Sequence, residues 1–258
     1  MEDVASEAGY AVILCNSDGS VTKEEHYLKI LEEQRAQGLL ITPVSNDTTY
    51  LERLHERGIA ITLLDRPSQS AGYCSVTVDD VRGGEMAVQH LLEQGHRRIA
   101  FINGPLSMSQ CVDRLEGVKR ALQGAALDPA HSLLTINVPA LNSREGEKSV
   151  EALLWRDEAT RPSAIFCSND LLALGVMRGL HSRGYAIPRD FSLLGYDDVE
   201  FASVLSVPLT SVRQPKYKLG QAAAQLLLEE IAEPATHQHR QLVYQPELII
   251  RESSRWQR

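Results

Sequence analysis

Short apolar runs alternate with amphipathic stretches along almost the whole chain. The runs predict buried strands, whereas the stretches between them repeat apolar residues every three to four positions and predict helices. The predicted strands are Ala11–Ser17, Gly38–Val44, Ile59–Asp65, Cys74–Val78, Arg98–Asn103, Leu133–Val138, Ala164–Ser168, Ser192–Gly195 and Leu209–Val212. Strands separated by helices imply right-handed βαβ units, so the pattern predicts parallel sheets with helices on both faces.

The predicted helices share their apolar spacing, and several are followed by a glycine that can end a helix. They are Lys23–Gln37, Tyr50–Arg57, Gly83–Gln94, Cys111–Gln123, Glu145–Arg156, Asp170–Arg183 and Lys218–Ile231. An extended stretch follows at Leu242–Arg251, where Pro246 indicates an edge position. The pattern is compatible with one wide sheet or with two smaller ones divided near Val78.

Polar residues directly follow several predicted strands, most clearly in the stretch FCSNDLLALG that begins at Phe166. In an open α/β sheet, ligands bind outside the carboxyl ends of the strands. Asp65, Asn169 and Asp197 occupy positions of this kind. Their oxygens accept hydrogen bonds and the amide of Asn169 also donates, which suits recognition of hydroxyl groups. We therefore treat these three residues as candidate ligand contacts.

Other conspicuous residues have ordinary structural explanations. Asp80 and Asp170 stand at the start of predicted helices, so helix capping is the favoured role for both. Arg114 lies in an amphipathic segment, where a solvated charge is more common than a ligand contact. The apolar run Leu226–Leu228 fits the core face of a helix better than an interface.

Composition sets limits on the class of protein. The 258 residues are 43% hydrophobic and 23% charged, which is ordinary for a globular protein. No uninterrupted apolar run is long enough for a membrane span, and the acidic start MEDVASEAGY does not resemble a signal peptide. The formal net charge of −8 argues against a nucleic-acid-binding surface that dominates the chain. We therefore expect a soluble, cytoplasmic protein.

Residue types used in catalysis and metal binding are present, but no spacing selects them. The four cysteines are Cys15, Cys74, Cys111 and Cys167. They form no CxxC pair and lie among apolar neighbours, so we expect buried free thiols. The histidines form no HExxH motif, and His237 and His239 lie in a polar loop. Phosphate-binding loops and a nucleophile elbow are also lacking. We expect no metal, no cofactor and no enzymatic activity.

Five motifs occur together and in order along the chain. They are GHRRIAFINGP at Gly95–Pro105, DRLEGVKRAL at Asp113–Leu122, the stretch Phe166–Ala202, PLTSVRQP at Pro208–Pro215 and PELIIRESS at Pro246–Ser254. Together they resemble the effector-binding region of lactose-repressor/galactose-repressor (LacI/GalR) transcription factors, and the resemblance covers nearly the whole chain. It implies a periplasmic-binding-protein-like fold: two α/β lobes joined by three crossovers, with a small effector in the cleft.

The resemblance also implies lobe boundaries and a ligand site. The N-terminal lobe would comprise residues 1–77 and 216–238, and the C-terminal lobe residues 78–215 and 239–258. The implied effector contacts are Asp65, Gln110, Arg114, Leu141, Asn169, Asp197 and Gln214. Asn169 would face the ligand while Asp170 starts the helix, and Arg114 would form charge-assisted bonds to the effector. Members of the family often carry an aromatic ring near the position of Leu141, which is aliphatic here.

At the N-terminus, the family's DNA reader is a helix-turn-helix followed by a hinge helix, and we expect this module to be absent from the chain. EDVASEAGY resembles only the end of the first helix of the effector region. The first lobe is therefore expected to lack its first strand.

The implied function is sensing of a sugar, a sugar phosphate or a nucleoside by a homodimeric transcriptional regulator, which would reach operator DNA only through the absent module. Two other classes stay open. One is a free-standing solute-binding protein of a transport system. The other, less favoured, is an α/β enzyme that acts on a sugar with paired carboxylates.

Overall fold

The computed structural model describes residues 1–45, 47–68, 72–158 and 160–255, and the chain divides into two compact units. Unit 1 comprises Met1–Val78 and Pro215–Tyr244, and unit 2 comprises Asp79–Gln214 and Gln245–Arg258. The polypeptide therefore passes between the units three times, after Val78, after Gln214 and after Tyr244.

Helices and strands alternate through both units. In chain order the elements are α1 (Glu2–Glu7), α2 (Val21–Glu33), β1 (Gly38–Ile41), α3 (Thr49–Glu56), β2 (Ala60–Leu64), β3 (Cys74–Val78), α4 (Asp80–Glu93), β4 (Ile99–Asn103), α5 (Ser109–Gly124), α6 (Pro129–Ser132), β5 (Leu133–Asn137), α7 (Ser143–Leu154), β6 (Ala164–Cys167), α8 (Asp170–His181), β7 (Ser192–Asp197), β8 (Thr210–Arg213), α9 (Lys216–Ala232), β9 (Gln241–Tyr244) and β10 (Glu247–Ile249). Short 3₁₀ helices cover Glu200–Ser203 and Glu252–Ser254. The predicted α/β class with parallel sheets is confirmed.

Unit 1 is built on a parallel sheet of four strands in the order β1-β2-β3-β9. Its strands are short, and those in the middle are buried on both faces, as expected for a covered parallel sheet. One core joins Leu28 of α2 and Leu54 of α3 to Ile61 of β2. The other joins Val76 of β3 to Leu226 of α9. Leu226 therefore has the predicted core role, Leu227 is buried and Leu228 is half-buried.

The predicted strand Ala11–Ser17 is wrong, because these residues form no strand and pair with none of the described strands. Val12, Ile13 and Leu14 are 54%, 69% and 92% exposed. Cys15 is exposed as well, contrary to the buried thiol expected there, whereas the other three cysteines are buried. Apolar composition alone does not make a strand, since its backbone N–H and C=O groups need a partner ladder.

Unit 2 contains a six-stranded sheet in the order β10-β8-β7-β6-β4-β5, in which only β10 is antiparallel to its neighbour. Helices α4 and α5 pack on one face around Phe101 and Phe166, whose rings stack at 4.9 Å between centroids. Helices α7 and α8 pack on the other face around Ile102 and Ile165. Neighbouring residues of one strand thus feed two separate cores, as the two-residue period of a strand requires.

The predicted extended stretch Leu242–Arg251 is two strands separated by Pro246. β9 pairs with β3 in unit 1, and β10 pairs with β8 at the edge of the unit 2 sheet. Residues 239–244 therefore lie in unit 1, which differs from the lobe that the resemblance assigned to them. The chain after β10 is anchored by Ser253, whose hydroxyl donates to the Leu193 carbonyl at 2.6 Å.

Two helix pairs of unit 2 approach each other closely at glycines. These are Gly84 and Gly117 between α4 and α5, and Gly146 and Gly175 between α7 and α8. A Cβ atom on Gly117 would overlap the carbonyl oxygen of Val81, and one on Gly84 would overlap that of Arg114. The missing side chains let the two backbones meet, which fixes α5 against the start of α4.

Among the described residues, no helix is long and apolar enough to cross a bilayer.

Replacement of Gly117 by alanine should destabilise the chain by about 1–3 kcal/mol, because the added methyl group must push α4 and α5 apart. The matched control is Gly124→Ala in the same helix, where a Cβ meets no atom within 4 Å. That change should stabilise the chain by up to about 1 kcal/mol through helix propensity. Urea unfolding followed by circular dichroism measures both. Equal stability of Gly117→Ala and the unaltered chain would refute the close-packing argument.

Candidate functional site

The junction between β3 and α4 carries two adjacent aspartates with different roles. The carboxylate of Asp79 accepts a hydrogen bond from the Arg82 amide at 2.9 Å and caps α4. Asp80 is the first residue of the helix, is buried, and accepts a hydrogen bond from Nε of Arg114 at 2.9 Å. The expectation that Asp80 caps the helix is therefore wrong. Its carboxylate instead holds a buried guanidinium.

Arg114 is only 4% exposed, so the expectation of a solvated charge on α5 is wrong. Its Nη1 donates to the Ser168 carbonyl at 2.5 Å, and its guanidinium carbon lies 3.7 Å from the centroid of the Tyr196 ring. Burial disfavours the charged form, but the Asp80 carboxylate outweighs it and raises the pKa of Arg114 above its ordinary value. A permanent positive charge is thus fixed beside the end of β6.

The junction between β6 and α8 repeats the arrangement at Asp79-Asp80. Asn169 caps α8, because its side-chain oxygen accepts from the Leu172 amide at 2.9 Å. Its amide nitrogen donates to the Leu141 carbonyl at 3.2 Å, so both ends of the amide are oriented by the backbone. The predicted capping role of Asp170 is therefore wrong. The cap lies one residue earlier than the sequence pattern indicates.

Asp170 is a buried carboxyl group that ties three segments together. It accepts hydrogen bonds from the Ser211 hydroxyl at 2.7 Å and from the Val199 amide at 2.8 Å. Burial raises the pKa of Asp170 to about 7, although both hydrogen bonds act to lower it, and the nearby charges of Asp197 and Asp198 raise it further. The group is therefore poised to change its charge near neutral pH.

β7 ends at Asp197, and Asp198 follows it; both have positive φ angles, 98° at Asp197 and 46° at Asp198. The Asp197 carboxylate accepts a hydrogen bond from Nε2 of Gln214 at 2.7 Å. Asp198 accepts from Arg213 at 2.7 Å and from Arg251 at 2.6 Å. Burial favours its neutral form, but these hydrogen bonds hold the pKa of Asp198 below its ordinary value. Asp198 is thus structural, while Gln214 orients Asp197 at the strand end.

The residues indicated by the sequence fall into two groups. Those of unit 2 are Gln110, Arg114, Leu141, Asn169, Asp197 and Gln214. Contacts join Asn169 to Leu141, Asp197 to Gln214, and Arg114 to the carbonyl that precedes Asn169. Gln110 lies one helical turn before Arg114 and is half-buried. Asp65 belongs to unit 1, where it follows β2 with φ of 55° and its amide donates to the Val76 carbonyl at 2.8 Å.

Three residues contact Arg114 in a way that the sequence did not predict: Asp80, Ser168 and Tyr196. The available signal was the repeated pair of short polar residues at a strand end, in which the first caps the helix and the second turns inward. With Asp80 and Tyr196 around it, Arg114 presents a fixed guanidinium at the carboxyl ends of the strands. This polar group, flanked by an oriented amide and a carboxylate, suits binding of hydroxyl-rich molecules.

Asp170→Asn should change how stability depends on pH. Between about pH 4 and about pH 7 the native carboxyl keeps a proton that the unfolded chain releases, so this group makes stability fall as pH rises. The variant lacks the effect, and its stability relative to the unaltered chain should rise with pH by on the order of 1 kcal/mol per unit. Urea unfolding at several pH values from about 5 to about 8 tests the slope.

Asp190→Asn is the control for this experiment. Hydrogen bonds from Arg189 and the Ala186 amide lower the pKa of Asp190, so it is ionised in both states above about pH 5. Its relative stability should be flat over the same range. A flat profile for Asp170→Asn as well would contradict the buried, proton-holding carboxyl.

Comparison with known proteins gives consistent results. Residues 88–254 match the family described as periplasmic binding protein-like domain. The chain is 32% identical over 254 residues to the HTH-type transcriptional repressor PurR of Aliivibrio fischeri (strain MJ11), covering 98% of this chain and 74% of that protein. It is 34% identical over 258 residues to the repressor of the same name from Vibrio atlanticus (strain LGP32), covering 97% and 74%.

Two solved structures of similar chains are described as transcriptional regulators. A LacI family transcriptional regulator from Enterococcus faecium with bound ribose superposes with a TM-score of 0.89 at 30% identity, covering 98% of this chain and 90% of that one. The transcriptional regulator CelR in complex with cellobiose gives a TM-score of 0.84 at 30% identity, covering 98% and 76%. By sequence and by fold, this chain therefore belongs to the LacI/GalR family of transcriptional regulators and forms its periplasmic-binding-protein-like effector-binding region.

Proposed function

We propose that the chain senses a sugar or a closely related hydroxyl-rich metabolite, such as a sugar phosphate or a nucleoside. The observation that carries the proposal is the oriented polar group at the carboxyl ends of the unit 2 strands, made of Arg114, Asn169 and Asp197. Related regulators with bound ribose and in complex with cellobiose support a sugar as the chemical class. The alternative of a transport protein is less favoured, because the similar proteins are regulators.

Each residue of this group has a distinct role in the proposal. The bond from Gln214 orients the Asp197 carboxylate, which would accept hydrogen bonds from effector hydroxyls. The fork of Arg114 adds charge-assisted donors, and Asn169 adds a donor and an acceptor. Gln110, one turn from Arg114, and the aliphatic Leu141 complete the proposed contacts in unit 2. Asp65, at the equivalent end of a strand in unit 1, is proposed as a further contact.

We further propose that effector binding is coupled to DNA binding by a helix-turn-helix module of the kind that the relatives' names state. Coupling requires that the effector bind two conformations with different affinities, because equal affinity shifts no equilibrium. The proposed working form is a cytoplasmic homodimer that binds its effector without converting it. Sedimentation equilibrium of the purified chain tests the dimer, and recovery of unchanged sugar after long incubation tests the lack of turnover.

Effector binding is tested by thermal melts with D-ribose, cellobiose, glucose 6-phosphate and adenosine. A compound that binds only the folded state adds about 2.7 kcal/mol at a hundredfold excess over Kd. At least one of them should raise the midpoint of thermal unfolding.

Asp197→Asn should weaken the binding of that compound by about tenfold to a hundredfold, because a hydrogen bond to a charged acceptor contributes about 1.5–3 kcal/mol. Asparagine tolerates the positive φ at this position, so the backbone should keep its conformation.

The matched control is Asp190→Asn, a half-buried carboxylate in a loop of unit 2 that is paired with its neighbour Arg189. It should bind the same compound as well as the unaltered chain does. If no compound of the panel shifts the midpoint, or if both aspartate variants lose the same affinity, the proposed site is wrong.

A further inference from the structure

A cluster of cysteine and histidine side chains lies in unit 1, away from the residues proposed to contact the effector. His237 and His239 are in the segment between α9 and β9, and Cys74 is the first residue of β3. The two elements meet because β9 pairs with β3, with Ser75 opposite Gln241. The amide of Arg240 also donates to Sγ of Cys74 at 3.3 Å. The pairing of the strands thus carries both histidines to a thiol that lies 163 positions from His237.

The three side chains place their donor atoms at metal-binding distances from one another. Sγ of Cys74 is 3.2 Å from Nε2 of His237 and 3.9 Å from Nδ1 of His239, and all three donor atoms lie within 4.8 Å of one another. A tetrahedral zinc ion with bonds of about 2.0–2.3 Å holds its ligand atoms roughly 3.3–3.8 Å apart. The two separations from Sγ of Cys74, 3.2 Å and 3.9 Å, lie close to that spacing.

A second group shares His239 with the first. Donor atoms of His55, Glu230 and His239 also lie within 4.8 Å of one another, and Nδ1 of His55 is 3.5 Å from Oε1 of Glu230. Glu230 is only 3% exposed, and within the described part of the chain its Oε2 has no hydrogen-bond partner. A buried carboxylate oxygen without a partner is unfavourable unless a cation or another donor satisfies it.

We propose that unit 1 binds a divalent transition-metal ion of the zinc class through Sγ of Cys74, Nε2 of His237 and Nδ1 of His239. The ligand types decide the class of ion, because thiolate and imidazole favour zinc and its neighbours in the first transition row over calcium and magnesium. Glu230 and His55 lie beside this set, where the carboxylate balances the charge of the ion. The expectation of no metal site rested on sequence spacing, which does not show a site assembled by strand pairing.

One of the three proposed ligands, His239, lines a pocket at the surface of unit 1. His55, Glu230 and His239 line a surface pocket of about 910 Å³ in unit 1, formed with residues of α2, β2 and α9. His237 and His239 are themselves half-buried, whereas Cys74 is fully buried at the base of the cluster. The bound ion would join the segment after α9 to the start of β3. This site is independent of the proposed effector contacts in unit 2.

Cobalt(II) is the probe for the first experiment, because a cobalt–thiolate bond gives a charge-transfer absorption that carboxylate or imidazole ligands alone do not give. The full chain, freed of metal with a chelator and kept reduced with a phosphine, should bind about one ion per chain with this absorption. Zinc(II) should then displace cobalt and abolish it. Cys74→Ser, a nearly isosteric change, should lose the absorption entirely. Loss of a residue that only hydrogen-bonds to a metal ligand already weakens metal binding about 10–100-fold. His237→Ala and His239→Ala each remove a proposed ligand, so they should weaken cobalt binding at least as much.

Two variants control for other thiols and histidines. Cys15→Ser removes the exposed cysteine of unit 1, and His131→Ala removes an exposed histidine of unit 2. Both should keep the cobalt absorption and the affinity of the unaltered chain. Zinc should also raise the melting midpoint of these controls but not that of His239→Ala, which changes a half-buried segment and should fold. The proposal is overturned if the unaltered chain shows no cobalt–thiolate absorption, or if Cys74→Ser keeps it.

Discussion

The structure of unit 2 depends on a buried positive charge. The guanidinium of Arg114 is removed from water, and the cost of its desolvation is offset only because the Asp80 carboxylate, the Ser168 carbonyl and the face of the Tyr196 ring surround it. Removal of one partner from such a pair typically costs about 3–5 kcal/mol, since the other charge stays buried. The ion pair therefore holds α4, α5, β6 and β7 in one arrangement. Four of the side chains proposed to contact the effector, those of Gln110, Arg114, Asn169 and Asp197, belong to these elements or closely follow them.

The two strand–helix junctions of unit 2 show how neighbouring polar residues divide their roles. At Asp79-Asp80 and again at Asn169-Asp170, the first residue caps the helix from an extended or intermediate backbone conformation. The second residue is helical, and its side chain turns into the protein to meet Arg114 in one case and Ser211 in the other. Capping satisfies the helix, while the inward carboxyl ties the helix to another segment. At both junctions, one residue of the pair therefore stabilises the end of the helix and the other makes a tertiary contact.

The alternation of apolar runs and amphipathic stretches was enough to predict the α/β class and all the described strands from β1 to β8, because covered parallel strands are apolar throughout. The same logic failed at Ala11–Ser17, where apolar residues lack a pairing partner. The positions of polar residues at the strand ends were also predictable, because the sequence places them directly after apolar runs. Which of two adjacent polar residues caps the helix was not predictable, because a shift of one residue leaves the composition of the junction unchanged. The cluster around Cys74 was invisible for another reason: its members are distant in sequence and meet only through the β3–β9 pairing.

The three passages of the chain between the units also affect the order in which the units can fold during synthesis. β9 is an edge strand of unit 1 and β10 an edge strand of unit 2, and both come later in the chain than every other described strand. Neither sheet is complete while these two strands are still inside the ribosome. Domains of many proteins fold one after another as they emerge, beginning with the N-terminal one. Here both units must wait for the same late segment, so their incomplete sheet edges stay exposed together until β9 and β10 have emerged.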